Sequence, residues 1–227
     1  MMKKTLCWTT AVLVVFLLLL YANANSVLDY AVYRNYQTLT NIALFMGADV
    51  KKVPLHSAVR QENLEVIERL LRLGADVNGK IGEWEITPLH IATGCGKLEA
   101  AKLLVSHGAD VNAKAKDDWT PLHLIAIEEH PKPESYVVAE YLISAGADVN
   151  ARDKKGRTPL HYTACGAWFC CYEWKTCAVF FVTHGADVYA KDNDGLTTRD
   201  LAEESKNKEM VEYLSGKMDI PQDEDTE

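Results

Sequence analysis

The chain has 227 residues, with 24 lysines and arginines against 32 aspartates and glutamates, and a formal net charge of −8 at pH 7. An acidic chain of this kind is poorly suited to bind nucleic acid or an anionic membrane surface. We therefore expect no nucleic-acid partner.

The first 24 residues have the pattern of a secretory signal peptide. Lys3 and Lys4 precede an apolar run over residues 11–20, and the small residues Ala22 and Ala24 match a cleavage site. We predict cleavage after Ala24 and export to the periplasm, the extracellular space or a host cell. The apolar run is shorter than the about 20 residues that a membrane helix needs. An uncleaved signal anchor, the one route to membrane contact, is the alternative.

Two short motifs recur along the rest of the chain. Gly-Ala-Asp-Val occurs five times, starting at Gly47, Gly74, Gly108, Gly146 and Gly185. A Pro-Leu-His motif falls between the copies, preceded in turn by Val53, Thr87, Thr120 and Thr158. The spacing from Pro54 to Pro88 is 34 residues, and that from Pro88 to Pro121 is 33. A period near 33 predicts stacked units that bury their apolar faces against one another.

One unit, residues 87–108, shows what each repeat should form. Thr87 is a helix N-cap and Pro88 suits the first helical position. Leu98 begins a second run of apolar residues at helical spacing, which Gly108 should end in a left-handed conformation. The polar residues 110–118 then predict a hairpin-like loop. The unit is therefore a helix, a turn, a second helix and a loop.

The T-P-L-H-x-A pattern resembles that of the ankyrin repeat family. The resemblance implies an all-α fold, an ankyrin-repeat α-solenoid of about six helix-turn-helix repeats with short hairpin-like connecting loops. It also implies that the motif histidines help to hydrogen-bond successive repeats together. The residues assigned to these structural roles are Thr87, Pro88, His90, Thr120, Pro121, His123, Thr158, Pro159, His161, Gly74, Gly108, Gly146 and Gly185.

The repeat register also divides the chain into segments. Residues 25–52 form an N-terminal capping repeat, and residues 53–196 form four repeats that start near 53, 87, 120 and 158. Residues 197–215 form a C-terminal capping repeat, in which Arg199 and Glu203 replace apolar residues, as expected of a repeat with one neighbour. Residues 216–227 are acidic and are predicted to be a disordered tail.

Nothing in the sequence predicts catalysis. Four of the seven histidines occupy the repeat motif, and His107 and His184 precede capping glycines at helix C-termini. His130 alone lies in an insertion. No nucleophile elbow, phosphate-binding glycine loop or H-E-x-x-H helix is present in the sequence. We expect no enzyme activity, metal site, cofactor or small-molecule substrate.

Four cysteines, Cys165, Cys170, Cys171 and Cys177, lie within thirteen residues. In an exported chain they are candidates for disulfides, with three pairings open and the adjacent pair the least favourable. The spacing is a poor match to a zinc site. The register places Cys177 at a core position, so an inert buried thiol is the competing interpretation. A thiol-active or metal-holding protein built on this cluster is an alternative function.

Repeats four and five are longer than the others between the motif threonine and the capping glycine. The extra residues are predicted between the two helices, at 130–133 and around 168–174, and should form one composite surface. The second insertion is rich in aromatic residues, which either contact a partner or fold back on the solenoid. The candidate contact residues are His130 in the first insertion and, in the second, Trp168, Phe169, Tyr172 and Trp174.

The hairpin loops form a second candidate surface. Trp84 and Trp119 lie on successive loops, with Arg157 and several lysines nearby. Basic loops on an acidic chain suggest an acidic face on the partner, although lysines at loop tips also serve solubility. The resemblance implies a non-catalytic protein–protein interaction module, which we expect to be a monomer with an unidentified protein partner. The membrane-tethered form of the same scaffold is the remaining alternative.

Overall fold

The structure is a computed structural model that describes residues 55–127, 132–164 and 174–218. The predicted signal peptide, the N-terminal capping repeat and residues 219–227 of the predicted tail lie outside these ranges. Among the helices that the structure describes, none has both the length and the apolarity to cross a bilayer.

Within the described ranges, ten α-helices form five helix-turn-helix pairs, as the repeat period predicts. They are α1 (His56–Arg60), α2 (Leu64–Arg72), α3 (Pro88–Gly94), α4 (Leu98–Ser106), α5 (Pro121–Ile127), α6 (Pro133–Ser144), α7 (Pro159–Ala164), α8 (Trp174–Thr183), α9 (Thr198–Glu204) and α10 (Lys208–Met218). The last helix runs three residues into the segment predicted as a tail.

The pairs stack in chain order into two helical layers. The first helices, α1, α3, α5, α7 and α9, each pack on the next, and α2, α4 and α6 do the same in the second layer. One continuous core lies between the layers, with Leu89 and Leu122 from the first layer and Leu104 and Leu142 from the second. Each fully buried leucine contributes roughly 2 kcal/mol. Every repeat therefore depends on its neighbours for burial.

The helix ends follow the motifs. Thr87 has extended backbone angles (φ −89°, ψ 164°), which suit both an N-cap and a residue before proline. Helices α2, α4, α6 and α8 are each followed, two residues after their last helical residue, by a glycine of positive φ, between +87° and +97°. The Ala109 N–H bonds to the Leu104 carbonyl at 3.0 Å and closes the turn around Gly108.

The loops between repeats are compact turns rather than long hairpins. Single antiparallel bridges join Ile81 to Ile86 and Lys191 to Thr197, and the described residues contain no extended strand. A short 3₁₀ turn spans Lys116–Asp118.

The insertion of repeat four is partly helical, which corrects the sequence prediction. Helix α6 begins at Pro133, 13 residues before Gly146, whereas α4 begins 10 residues before Gly108. Pro133 is therefore the first helical residue and does not belong to an inter-helix loop. The added turn packs on the preceding repeat, where the buried Ser135 hydroxyl donates to the Gly94 carbonyl at 3.2 Å. Proline at the first helical position explains why the extension begins there.

Candidate functional site

A ladder of motif histidines connects the repeats. The Nε2 atoms of His90, His123 and His161 lie 3.0, 3.1 and 3.3 Å from backbone carbonyl oxygens of the following loops, at Trp119, Arg157 and Leu196. Each Nδ1 accepts the backbone N–H of the motif threonine at 3.1–3.4 Å. These bonds assign a structural role to all three imidazoles.

The same bonds define the protonation state of these histidines. Because Nδ1 accepts from a backbone N–H, the proton must lie on Nε2, so the ring is the neutral Nε2–H tautomer. Burial lowers the pKa of all three, and that of His90 to about 4. His56 makes the equivalent bond to the Ile86 carbonyl at 2.7 Å. Its Nδ1 has no partner in the described structure, and the sequence has Val53 where the other repeats have threonine.

A second ladder follows the Gly-Ala-Asp-Val turns. The Asn112 side chain accepts the Asp148 N–H at 2.8 Å and donates to the Gly146 carbonyl at 3.2 Å. Asn78 and Asn150 repeat both bonds to the turns that follow them. Tyr189 occupies the corresponding position in the next turn, where the sequence no longer provides an asparagine.

Backbone hydrogen bonds also join the tips of successive loops. Lys116 N–H bonds to the Trp84 carbonyl at 2.8 Å, and Lys154 N–H to the Asp117 carbonyl at 3.0 Å. Asn193 N–H continues the series by bonding to the Lys155 carbonyl at 2.9 Å. Loops 80–86, 114–119, 152–157 and 191–196 thus form one connected surface, which we call the loop edge.

Three aromatic side chains line this surface. The Trp84 and Trp119 rings stack with their centroids 6.2 Å apart, and Trp119 meets Tyr162 edge-on at 5.6 Å. Trp84 is 54% exposed, whereas the other two are half-buried. The Lys116 ammonium lies 5.2 Å from the Trp84 ring centroid, in a cation–π arrangement. We call Trp84, Trp119 and Tyr162 the aromatic row.

A buried carboxylate orients the row. Asp153 is 7% exposed, and its Oδ1 accepts the backbone N–H groups of Lys155 and Arg157 at 2.9 and 2.8 Å. Its Oδ2 accepts the Trp119 indole N–H at 3.3 Å and the Tyr162 hydroxyl. Burial, with the bond to this carboxylate, raises the pKa of Tyr162. The Asp153 carboxylate therefore orients both the Trp119 and the Tyr162 ring.

Several of the basic residues noted in the sequence are neutralised within the edge. Arg157, predicted to contact a partner, has a side chain only 18% exposed, and its Nε donates to the buried Asp192 carboxylate at 3.1 Å. Lys114 pairs with Asp118 and Lys154 with Asp117, at 3.2 and 3.5 Å. All three side chains therefore already have carboxylate partners within the loop edge.

The aromatic insertion lies largely outside the described residues, as do His130, Trp168, Phe169 and Tyr172. Trp174, the first residue of α8, is half-buried and packs against the core. Cys177 is fully buried, with its Sγ 2.8 Å from the Tyr136 hydroxyl oxygen. Cys165, Cys170 and Cys171 lie outside the described residues, so the disulfide hypothesis stays a prediction.

Two residues of this surface, Tyr162 and Asp153, were not singled out in the sequence. Tyr162 occupies the variable position of T-P-L-H-x-A, and Asp153 stands five residues before the motif threonine Thr158, as Asp192 stands before Thr197. An acid that recurs five residues before the motif threonine is the sequence signal that could have identified Asp153. In the described ranges, no group of three or more histidine, cysteine or acidic side chains could hold a metal ion.

Comparison with known proteins identifies the family. A family model described as ankyrin repeats matches three overlapping stretches, residues 28–115, 55–153 and 134–224, which together cover most of the sequence. A search of curated proteins gave no match. The matched stretches contain all ten helices, both ladders and the loop edge. The chain belongs to the ankyrin-repeat family.

Proposed function

We propose that this protein is a non-catalytic, monomeric binding module and that the loop edge, with its aromatic row, contacts a protein partner. Ankyrin repeats generally mediate protein–protein interactions. The observation that carries the proposal is Trp84, which is 54% exposed on a surface that is otherwise fixed by hydrogen bonds. A large exposed aromatic side chain is a common centre of binding energy in protein interfaces.

The rigidity of the loop edge supports the same proposal. Backbone bonds join the loop tips, and Asp153 fixes the Trp119 and Tyr162 rings, so little conformational entropy remains to be lost on binding. The stacked Trp119 supports one face of Trp84. A partner would meet a surface that already has its bound geometry.

A photo-crosslinking amino acid at position 84 tests the proposal in cells of the source organism. Crosslinked proteins are identified by mass spectrometry and compared with those from the same probe at Leu73, which is 52% exposed at the end of α2. We expect a protein captured from position 84 and absent from position 73. Equal capture from both positions, or none from position 84, would contradict the proposed surface.

We also propose that the protein is exported, since residues 1–24 have the pattern of a cleavable signal peptide. Mass spectrometry of the mature chain tests this. A first residue of Asn25 supports export and removes the membrane-tethered alternative, whereas an intact Met1 in a membrane fraction would favour the tether.

A further inference from the structure

The charges on the loop edge differ from those on the rest of the chain. The whole protein carries a formal charge of −8. Four exposed basic side chains on the edge, Lys116, Arg152, Lys155 and Lys191, make no ion pair with a described carboxylate. On the same loops, Glu83 and Asp194 are the exposed acids without such a pair in the described ranges, and the buried Asp153 accepts from backbone, indole and hydroxyl donors rather than from a cation. The unpaired charge of this surface is therefore positive.

Hydrogen bonds between loops place these cations along the loop edge, and one of them lies against the aromatic row. Lys116 lies over the Trp84 ring, and its own N–H bonds to the Trp84 carbonyl. Lys155 accepts the Asn193 N–H through its carbonyl, and the Arg152 guanidinium donates to the Lys191 carbonyl. The basic side chains therefore occupy three adjacent loops that are bonded to one another.

We propose that the partner binds this surface through an acidic segment that carries a large apolar side chain. The apolar side chain lies on the exposed Trp84 indole, while carboxylates of the segment face Lys116, Lys155 and Lys191. This inference rests on the proposed function and specifies the chemistry of its partner. It follows from charge complementarity, because the exposed charges without an ion pair on the loop edge around Trp84 are mostly basic, whereas the chain as a whole is acidic.

The contrast between paired and unpaired lysines on the loop edge supports a preference for an acidic segment. Lys114 and Lys154 already have carboxylate partners on neighbouring residues or loops. If lysines served only to keep the loops soluble, an acidic protein would gain as much from acids at the unpaired positions. Instead the exposed unpaired positions on the loop edge are mostly basic, which attracts an acidic segment and repels a basic one.

Selection from a random peptide library displayed against the immobilised full chain tests the inference without a known partner. We expect the enriched peptides to be acidic and to contain an aromatic or large aliphatic residue. The charge reversal Lys155→Glu/Lys191→Glu should weaken their binding by about tenfold. The matched control Lys175→Glu/Lys208→Glu makes the same change in net charge on the second-layer helices α8 and α10 and should leave binding unchanged.

Enriched peptides that are neutral or basic would overturn the inference, as would no enrichment or equal weakening by both double variants. These results remain distinguishable from failure of the proposed function. A protein crosslinked from position 84 together with neutral or basic peptides would leave the binding surface in place and remove the acidic class. Acidic peptides that bind a Trp84→Ser variant as well as the wild type would remove the aromatic row from the site.

Discussion

The imidazole of His90 contacts the backbone of Trp119, with its Nε2 3.0 Å from the Trp119 carbonyl oxygen. One residue of the aromatic row is thus held from two directions, by His90 through its backbone and by Asp153 through its indole. His123 makes the same connection to Arg157. The bonds that stack the repeats therefore also position the loop edge.

Because the motif histidines are buried in their neutral form, we predict that the free energy of unfolding falls in mild acid. The folded pKa of His90 is about 4 against 6.5 in the unfolded chain, and those of His56, His123 and His161 are lowered in the same direction by burial. Below pH 6.5 the unfolded chain binds more protons than the folded one, so stability is complete above that value and is lost as the pH falls towards 4. His90 alone accounts for about 3 kcal/mol.

Urea unfolding followed by circular dichroism, from about pH 7.5 to about pH 4.5, measures this loss. Asp192 and Asp200 have lowered pKa values, so their contribution is lost only below their ordinary value of 3.8 and does not overlap the histidine range. A free energy of unfolding that stays constant down to pH 5 would contradict the prediction. So would protonated motif imidazoles in the NMR spectrum of the folded protein at pH 6.

The parts of the fold that were predictable depend on local interactions. Thr87, Pro88 and Gly108 begin and end helices through their own backbone preferences, which a sequence pattern records directly. The polar face predicted for the C-terminal capping repeat is also local, since Arg199 and Glu203 form an ion pair at 3.2 Å within one helix.

The contacts of the loop edge were less predictable because they join residues of different repeats. Trp119 and Asp153 are 34 residues apart, and only the stacking of two loops brings them together. The Pro133 extension was missed for a different reason. An insertion has no counterpart in the repeat period, so the register could not tell a longer helix from a longer loop.

Thr198→Pro should stabilise the protein. Thr198 stands where other repeats have proline, and its buried hydroxyl has no partner among the described residues. The preceding residue, Thr197, has φ −85° and ψ 168°, nearly the angles of Thr87 before Pro88. The substitution removes an unsatisfied hydroxyl and restricts the unfolded chain, for a gain of about 1–2 kcal/mol.

Chemical denaturation of Thr198→Pro and of Thr198→Ala separates these two contributions. The alanine variant removes the hydroxyl without restricting the backbone, so it should gain less than the proline variant. A proline variant that is less stable than the wild type would show that the C-terminal repeat does not share the geometry of the others.

Gly156→Ala should destabilise the protein more than Gly195→Ala, although the two glycines occupy equivalent loop positions. Both have positive φ, +73° and +80°, so both variants bear the strain of a left-handed alanine, about 1 kcal/mol. A Cβ at Gly156 would also overlap the Asn193 Oδ1 and lie 3.0 Å from its backbone nitrogen, whereas one at Gly195 meets nothing within 4 Å.

The difference in unfolding free energy between these two variants measures the close approach of two loop tips, and we expect it to be about 1–3 kcal/mol. Equal losses in the two variants would mean that loops 152–157 and 191–196 do not approach as closely as the structure shows. The loop edge would then be less rigid than the proposed binding mechanism requires.

Asp153→Ala should destabilise the protein and release the aromatic row. The substitution leaves the Lys155 and Arg157 N–H groups, the Trp119 indole N–H and the Tyr162 hydroxyl without their shared acceptor. Leaving buried donors unsatisfied costs about 2–4 kcal/mol in total, since some of them regain water at the surface. We also expect red-shifted tryptophan emission, because Trp119 loses its fixed place between Trp84 and Tyr162.

The exposed Asp194→Ala on the neighbouring loop is the matched control, since it removes one acid at the same edge without a buried acceptor. It should leave both the unfolding free energy and the emission spectrum nearly unchanged. Tyr162→Phe removes one of the four donors and should lose only about 1 kcal/mol. If Asp153→Ala matched the control in stability and in emission, Asp153 would not orient the row, and the surface would owe its order to the backbone bonds between the loops.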